Sequence, residues 1–165
     1  VRIFKCDGYS QDYQFTAVDI QQIHALWLAE IYPFAGRYRT VSMSKAGFPF
    51  AAPNLIDKLM TDLENKHLKQ YTPCNFIGEK LTEALGVVHV ELIIIHPFRE
   101  GNGRVARLLA NLMAMQANYP TLNFGSIDKT ENPNGFNKYI EAIHHGFNGD
   151  YDPIKEIFSK VLESS

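Results

Sequence analysis

Between residues 96 and 107 the chain reads HPFREGNGRVAR: a histidine, an acid, an asparagine between two glycines, and three arginines in twelve positions. His96 is the one group of the stretch that exchanges a proton near neutral pH, which makes it a candidate general base. Glu100 offers the hard carboxylate oxygen that a magnesium ion bridging phosphates requires, with waters filling its other positions. Gly101 and Gly103 flank Asn102 and are expected to allow backbone angles and close ligand approaches that a Cβ forbids. A helix starting near Gly103 would aim its first free amides at this loop, a natural site for phosphate. Arg104 and Arg107 lie three apart on one face of that helix, at its positive end, where the dipole disfavours each by up to ~1 kcal/mol. A polyphosphate removes the conflict by giving each guanidinium its own anion. Base, metal ligand and phosphate cradle together describe transfer from a nucleotide to a hydroxyl.

Taken singly, each of these residues has a bland account: a His-Pro turn, a glycine cap, a solvated cationic face. The ordered set does not. Zinc on His89, His96 and Glu100 fails because Pro97 and the glycines interrupt the helix that such ligation needs, and no HExxH occurs. The absence of GxxxxGK[ST] excludes an ordinary P-loop.

The loop needs elements on either side to hold it. Upstream, Leu81, Ala84, Leu85, Val88, Leu92 and Ile95 recur every three or four residues. Their β-branched neighbours favour a strand, but four turns is too long for one, so this is read as a buried helix. Downstream, residues 105 to 117 keep helical spacing. The chain opens with a helix over 18 to 31, carried by Ile20, Ile23, Leu26, Trp27 and Ile31 and ended by Pro33 and Gly36. Residues 37 to 53 read as a hairpin, with Tyr38, Val41 and Met43 in one arm, a turn at Lys45-Ala46-Gly47, and Pro49 keeping the second arm at an edge. A helix over 55 to 69 follows. Residues 118 to 131 are expected as a loop with a short extended piece at 122 to 124. Two helices close the chain at 133 to 145 and 153 to 163, the last capped by Asp152 with Pro153 in its first turn.

Composition agrees with one soluble domain: 165 residues, 45% apolar, 21% charged and a net charge of −2. That charge gives no bulk hold on nucleic acid or an anionic membrane. The most apolar run, 87 to 95, carries His89 and Glu91 and is too short to span a bilayer. Cys6 and Cys74 are too few for a disulfide framework, so the expected setting is the cytoplasm. The chain starts at Val1 rather than methionine, and residues upstream are expected.

His96 to Arg107 also resembles the signature of the Fic-domain family, HxFx(D/E)GNGRxxR, and matches it at every defined position. The likeness runs from about Phe15 to Leu162. YPFAGRYRTVSMSKAGFPFA at 32 to 51 resembles the family segment that ends in a hairpin flap, and GDYDPIKEIF at 149 to 158 resembles its closing helix. The resemblance implies an all-α core of about six to eight helices with one β-hairpin flap beside the active-site loop, as a single domain over 1 to 165. It implies adenylylation: AMP moves from ATP to a Ser, Thr or Tyr hydroxyl of a target protein, and pyrophosphate leaves. His96 would deprotonate the hydroxyl, and Glu100 would hold Mg2+ (or Mn2+) on the α- and β-phosphates. Gly101, Asn102, Gly103 and Arg104 would hold the phosphates, and Arg107 the γ-phosphate. Phe98 would anchor the loop in the core.

Lys45, Gly47 and Phe48 match flap positions near the nucleotide, and Tyr139 with Asn137 matches the region beside the base. Phe48, Pro49, Phe50 and Ala51 would form an edge that pairs with an extended target segment; packing of Phe50 on the core is the alternative. Doc-like kinases carry Lys in place of Gly103, so Gly103 favours adenylylation over phosphorylation. Phosphocholine transfer, found in an outlying relative, would need a different pocket. Removal of AMP from modified proteins, and a non-catalytic nucleotide-sensing or partner-binding scaffold beside a DNA-binding domain, are the alternative functions.

Many relatives are inhibited by a helix carrying [ST]xxxE[GN], whose Glu pairs with the residue matching Arg107. Ser159 to Ser164 nearly fits, but Ile154, Ile157, Phe158, Val161 and Leu162 make it the closing core helix. An upstream inhibitory helix or an antitoxin-like partner protein are the other routes to inhibition. Relatives delivered as effectors would act away from the cytoplasm that made them.

Overall fold

The computed structural model describes residues 10–165; Cys6, with the rest of residues 1–9, lies outside the described residues. Helix α1, Ala17–Leu28, begins with a capping box: the Thr16 hydroxyl accepts from the Asp19 amide, and the Asp19 carboxylate accepts from Thr16 N at 2.8 Å. Ile20, Ile23, His24 and Leu28 form its buried face. Leu26 and Ile31, counted into a longer helix from sequence, are 70% and 63% exposed, because the buried stripe runs through His24 instead.

The hairpin is much shorter than its sequence suggests. Strand β1, Ser44–Lys45, pairs antiparallel with β2, Phe48–Pro49, in the register Ser44↔Pro49 and Lys45↔Phe48. Ala46 and Gly47 both have positive φ, 49° and 79°, the requirement of a tight two-residue hairpin turn. Tyr38 to Met43, expected in the first arm, is no strand, since Arg39 N donates to Pro97 O at 2.8 Å and ties this segment to the loop after His96.

A 3-10 turn at Pro53–Leu55 leads into α2, Ile56–Leu63, which passes through a π-turn at Glu64–Leu68 into α3, Lys69–Tyr71. The long helix expected here is therefore real but unevenly wound. Helix α4, Gly78–Ile95, is the central post: 12 of its 18 residues are buried, and α2, α5, α6 and α7 pack around it. Burial on every side explains why its sequence shows no clean polar face. Helices α5 (Asn102–Gln116), α6 (Pro133–Phe147) and α7 (Asp152–Glu163) complete the bundle. At one crossing α6 approaches so closely that a Cβ on Gly146 would lie 2.5 Å from Val90 Cγ1.

Two local expectations fail. Residues 122 to 124 form no strand; Leu122 is pinned by its amide to Asn111 Oδ1 at 2.7 Å, and a 3-10 turn follows at Gly125–Ile127. Asp152 is the first residue of α7 rather than its cap, and its carboxylate takes Lys155 Nζ at 2.7 Å. Among the described residues the architecture is a helical bundle with one small hairpin, as the sequence implied. No helix of the described residues is long and apolar enough to cross a membrane.

Candidate active site

The C-terminus of α4 delivers His96. Its amide still donates to Leu92 O at 3.1 Å, but its backbone is left-handed, φ 52° and ψ 59°, and Pro97 ends the helix. Such a conformation costs a non-glycine residue about 1–3 kcal/mol and persists only where the surroundings impose it. The imidazole Nδ1 lies 3.2 Å from Ile93 O. A carbonyl only accepts, so Nδ1 carries the hydrogen and the Nε2 lone pair remains available to a substrate. Burial pushes the pKa down to about 4, against the Ile93 carbonyl, with Arg39 and Lys45 adding to the depression and Glu100 opposing it. The ring is therefore neutral at pH 7, ready as a base. Phe50 of the flap stacks on it with centroids 3.7 Å apart and planes at 6°.

The loop after His96 is braced from inside. Asn102 Oδ1 accepts from Phe98 N at 2.9 Å, and its Nδ2 donates to Phe98 O at 2.7 Å. Phe98 is fully buried and stacks on His24, 3.8 Å between centroids. Gly36 N donates to His24 Nδ1 at 2.8 Å, which fixes the tautomer, so Nε2–H donates to Glu100 O at 2.9 Å. Burial lowers the His24 pKa, which keeps it neutral in this role.

The two glycines have different reasons. Gly101 has φ 83°, and a Cβ there would sit 2.6 Å from Leu28 Cδ1. Gly103 has an ordinary helical conformation, contrary to the sequence expectation, and a Cβ would meet nothing within 4 Å. Its missing side chain leaves space rather than backbone freedom.

A cavity of about 390 Å³ lies between loop and flap, lined by His96, Arg99, Glu100 to Arg104 and Arg107 on one side and Met43, Ser44, Lys45 and Phe50 on the other. The N-terminus of α5 opens here without a side-chain cap. Among the described residues neither Arg104 nor Arg107 is paired with a carboxylate, and Arg107 Nε is buried with no hydrogen-bond partner. Arg104 lies over the Trp27 ring at 5.8 Å. The cavity thus collects uncapped amides and unneutralised cations, which suits a polyanion. Glu100 is exposed and accepts from Gly101 N at 3.1 Å. No group of three or more His, Cys, Asp or Glu gathers among the described residues. One carboxylate fits a magnesium ion completed by phosphates and water, not a protein cage.

Several residues singled out from sequence stand elsewhere. The Asn102 side chain faces its own loop, so only its backbone is left for a phosphate. Gly47 is the flap turn, and Phe48 turns away to stack on His144 at 4.7 Å and to meet Phe147 at 5.3 Å. Pro49 is exposed, while Ala51 is half-buried with its carbonyl bound by Arg39. Tyr139 is 5% exposed, and its hydroxyl pairs with His89 Nε2 at 2.9 Å, away from the cavity lining. Asn137 is exposed on α6. Cys74 is a buried free thiol whose pKa burial raises to about 11.

Sequence reasoning missed His24 and Arg39. His24 shares a helical face with Ile20, Ile23 and Leu28, and a polar group on an apolar stripe was a usable signal. Arg39, 2% exposed, had none, since Arg37 two residues earlier is exposed and looks identical in sequence.

Comparison with known proteins adds to this geometry. The sequence model described as "Fic/DOC family" matches residues 14–114. The protein adenylyltransferase Fic of Nematostella vectensis is 31% identical over 153 residues, covering 90% of this chain and 32% of that protein. The protein adenylyltransferase fic-1 of Caenorhabditis briggsae is 26% identical over 167 residues, covering 100% of this chain and 31% of its own length. The chain therefore spans about a third of these curated relatives. Among solved structures, the BepC effector of Bartonella tribocorum, crystallised with AMPPNP, superposes with a TM-score of 0.75 at 26% identity, over 93% of this chain and 77% of that one.

Proposed function

The chain belongs to the Fic/DOC family, and on that premise we propose that it is a protein adenylyltransferase, moving AMP from ATP to a side-chain hydroxyl of a protein. Relatives that carry that name support the reading. One observation carries it furthest: the free Nε2 edge of His96 shares a cavity with an uncapped helix mouth and the unpartnered guanidinium of Arg107.

The chemistry follows from that arrangement. His96 Nε2 takes the hydroxyl proton as the oxygen attacks the α-phosphorus, forming a new P–O bond. The bond from that phosphorus to the bridging oxygen of the β-phosphate breaks, and pyrophosphate leaves with the electron pair. The α5 amides, Arg104 and Arg107 hold the leaving phosphates and stabilise the charge that accumulates on them. The open space beside Gly103 lets the triphosphate lie along the helix mouth. Glu100 would hold magnesium, which supplies further neutralisation of the phosphates when bound. The flap, whose β2 has no second neighbour among the described residues, offers main chain to an extended target segment.

Parallel incubations with ATP labelled at the α- or the γ-phosphate, in a protein lysate with magnesium, test the reading. Label on protein from the α position alone is expected. Label from the γ position, or from neither, would overturn it.

A further inference from the structure

Behind the flap lies a buried cation that the chemistry above does not use. Arg39 is 2% exposed and pairs with no carboxylate among the described residues; its guanidinium is spent entirely on backbone carbonyls. Nε donates to His96 O at 2.7 Å, and one terminal nitrogen donates to Val41 O at 2.8 Å. The other terminal nitrogen donates to Ala51 O at 2.6 Å and lies 3.2 Å from Ile95 O. Its own amide donates to Pro97 O at 2.8 Å.

These acceptors fall into two groups. Val41 and Ala51 bracket the flap, one before β1 and one after β2. Ile95 ends α4, His96 is its left-handed cap, and Pro97 follows. One planar group therefore clamps both roots of the flap to the backbone of the catalytic histidine, and Phe50, next to Ala51, lies flat on the His96 ring. The pair β1–β2, two residues in each strand, is too short to place the flap by itself.

We propose that Arg39 is a positioning residue that sets the distance between the target-docking flap and the His96 imidazole, so that flap geometry and base geometry are one variable. The inference rests on the proposed transferase reading for its consequence in rate, but its structural half stands apart from it. A lysine keeps the charge and reaches one or two of the carbonyls, whereas only the guanidinium fork spans both groups at once.

The experiment compares wild type with Arg39→Lys, confirmed as folded by circular dichroism, in two readouts. The first is the ring-current shift that Phe50 imposes on the His96 Hε1 proton in NMR spectra, which needs no activity. The second is transfer of α-labelled AMP from saturating MgATP, beside the dissociation constant for MgATP. Arg39→Lys is expected to lose most of the ring-current shift and to slow transfer by about a hundredfold, the scale of an ångström's misplacement. Nucleotide affinity should change less than about threefold, because the α5 mouth is untouched. For Arg39→Ala, millimolar methylguanidine should restore transfer in part.

An Arg39→Lys protein with the wild-type shift overturns the proposal whatever its activity. So does one that loses nucleotide binding and transfer by the same factor. Wild-type protein that transfers nothing while Arg39→Lys still loses the shift would overturn the transferase reading and leave the clamp standing.

Discussion

The loop that follows His96 and the flap face each other across one cavity and are built in opposite ways. The loop is anchored inward at nearly every residue: Phe98 in the core, Asn102 closing on Phe98, His24 holding Glu100 O, Gly101 against Leu28. The flap is two residues paired with two, exposed at Ser44, Lys45 and Pro49, and tied down at its roots. On the proposed function the difference separates two tasks. Groups that meet a fixed ligand must be held before it arrives, since misplacement by an ångström costs about a hundredfold in rate. A surface that accepts a protein segment by main-chain pairing gains from few side-chain demands. The central helix α4 serves both, with its left-handed end pointing His96 between them.

The sharpest way to break the contrast is to disturb the rigid side with one methyl group. Gly101→Ala forces a Cβ to within 2.6 Å of Leu28 at φ 83°. Left-handed strain and overpacking together are expected to destabilise the fold by about 2–5 kcal/mol. Calorimetric titration should show MgATP affinity reduced about a hundredfold. A variant binding as wild type would mean that the loop is softer than its contacts indicate.

The framework under the loop can be loosened by acid. His89, fully buried and paired with Tyr139, has a pKa lowered to about 4 by burial, with Arg107 adding to it. Below about 6.5 the unfolded chain takes up a proton that the folded chain refuses, so stability is complete above that pH and falls toward pH 4. Urea midpoints should report about 2 kcal/mol lost from His89 between pH 7 and 5, and less in His89→Gln.

On the soft side, Phe50→Ala uncovers one face of His96. The imidazole pKa should rise from about 4 toward the ordinary histidine value, because burial is its main depressant. An NMR titration of the ring measures this. Transfer should nevertheless fall by about tenfold, because the ring loses the stacked partner that holds it in place, while urea stability changes little.

The smallest effect is expected at Ser159 to Ser164. Ser159 and Glu163 bond to each other at 3.2 Å and line a cavity with Gly78, Glu79 and Thr82 at the start of α4. His96 lies at the other end of that helix, about 25 Å away by helical rise. Glu163→Gly should therefore leave autoadenylylation unchanged, and a rise would reinstate this segment as a brake.

Legibility followed the physics of each element. The helices were readable because burial imposes a period, and α4 was separated from a strand by its length alone. The gathering of His96, Glu100 and the arginines around one cavity was readable because base, acid, glycine and cation crowd into one loop. Leu26 and Ile31 misled because apolar residues on a helix need not all face the core. Tyr38 to Met43 misled because strand propensity says nothing of which carbonyl claims the amide, and Pro97 claimed Arg39's. Arg39 itself was invisible: its partners are backbone oxygens, all but that of Val41 far along the chain, which no side-chain pattern encodes.

On the proposed function His96 acts after the nucleotide is bound, not in binding it. Single-turnover transfer of α-labelled AMP, measured with the MgATP dissociation constant for wild type and His96→Ala, separates the two. Affinity within about threefold of wild type and transfer lowered by about a thousandfold or more is the expected result. Transfer that survives without the imidazole, or binding that vanishes along with it, would contradict the account.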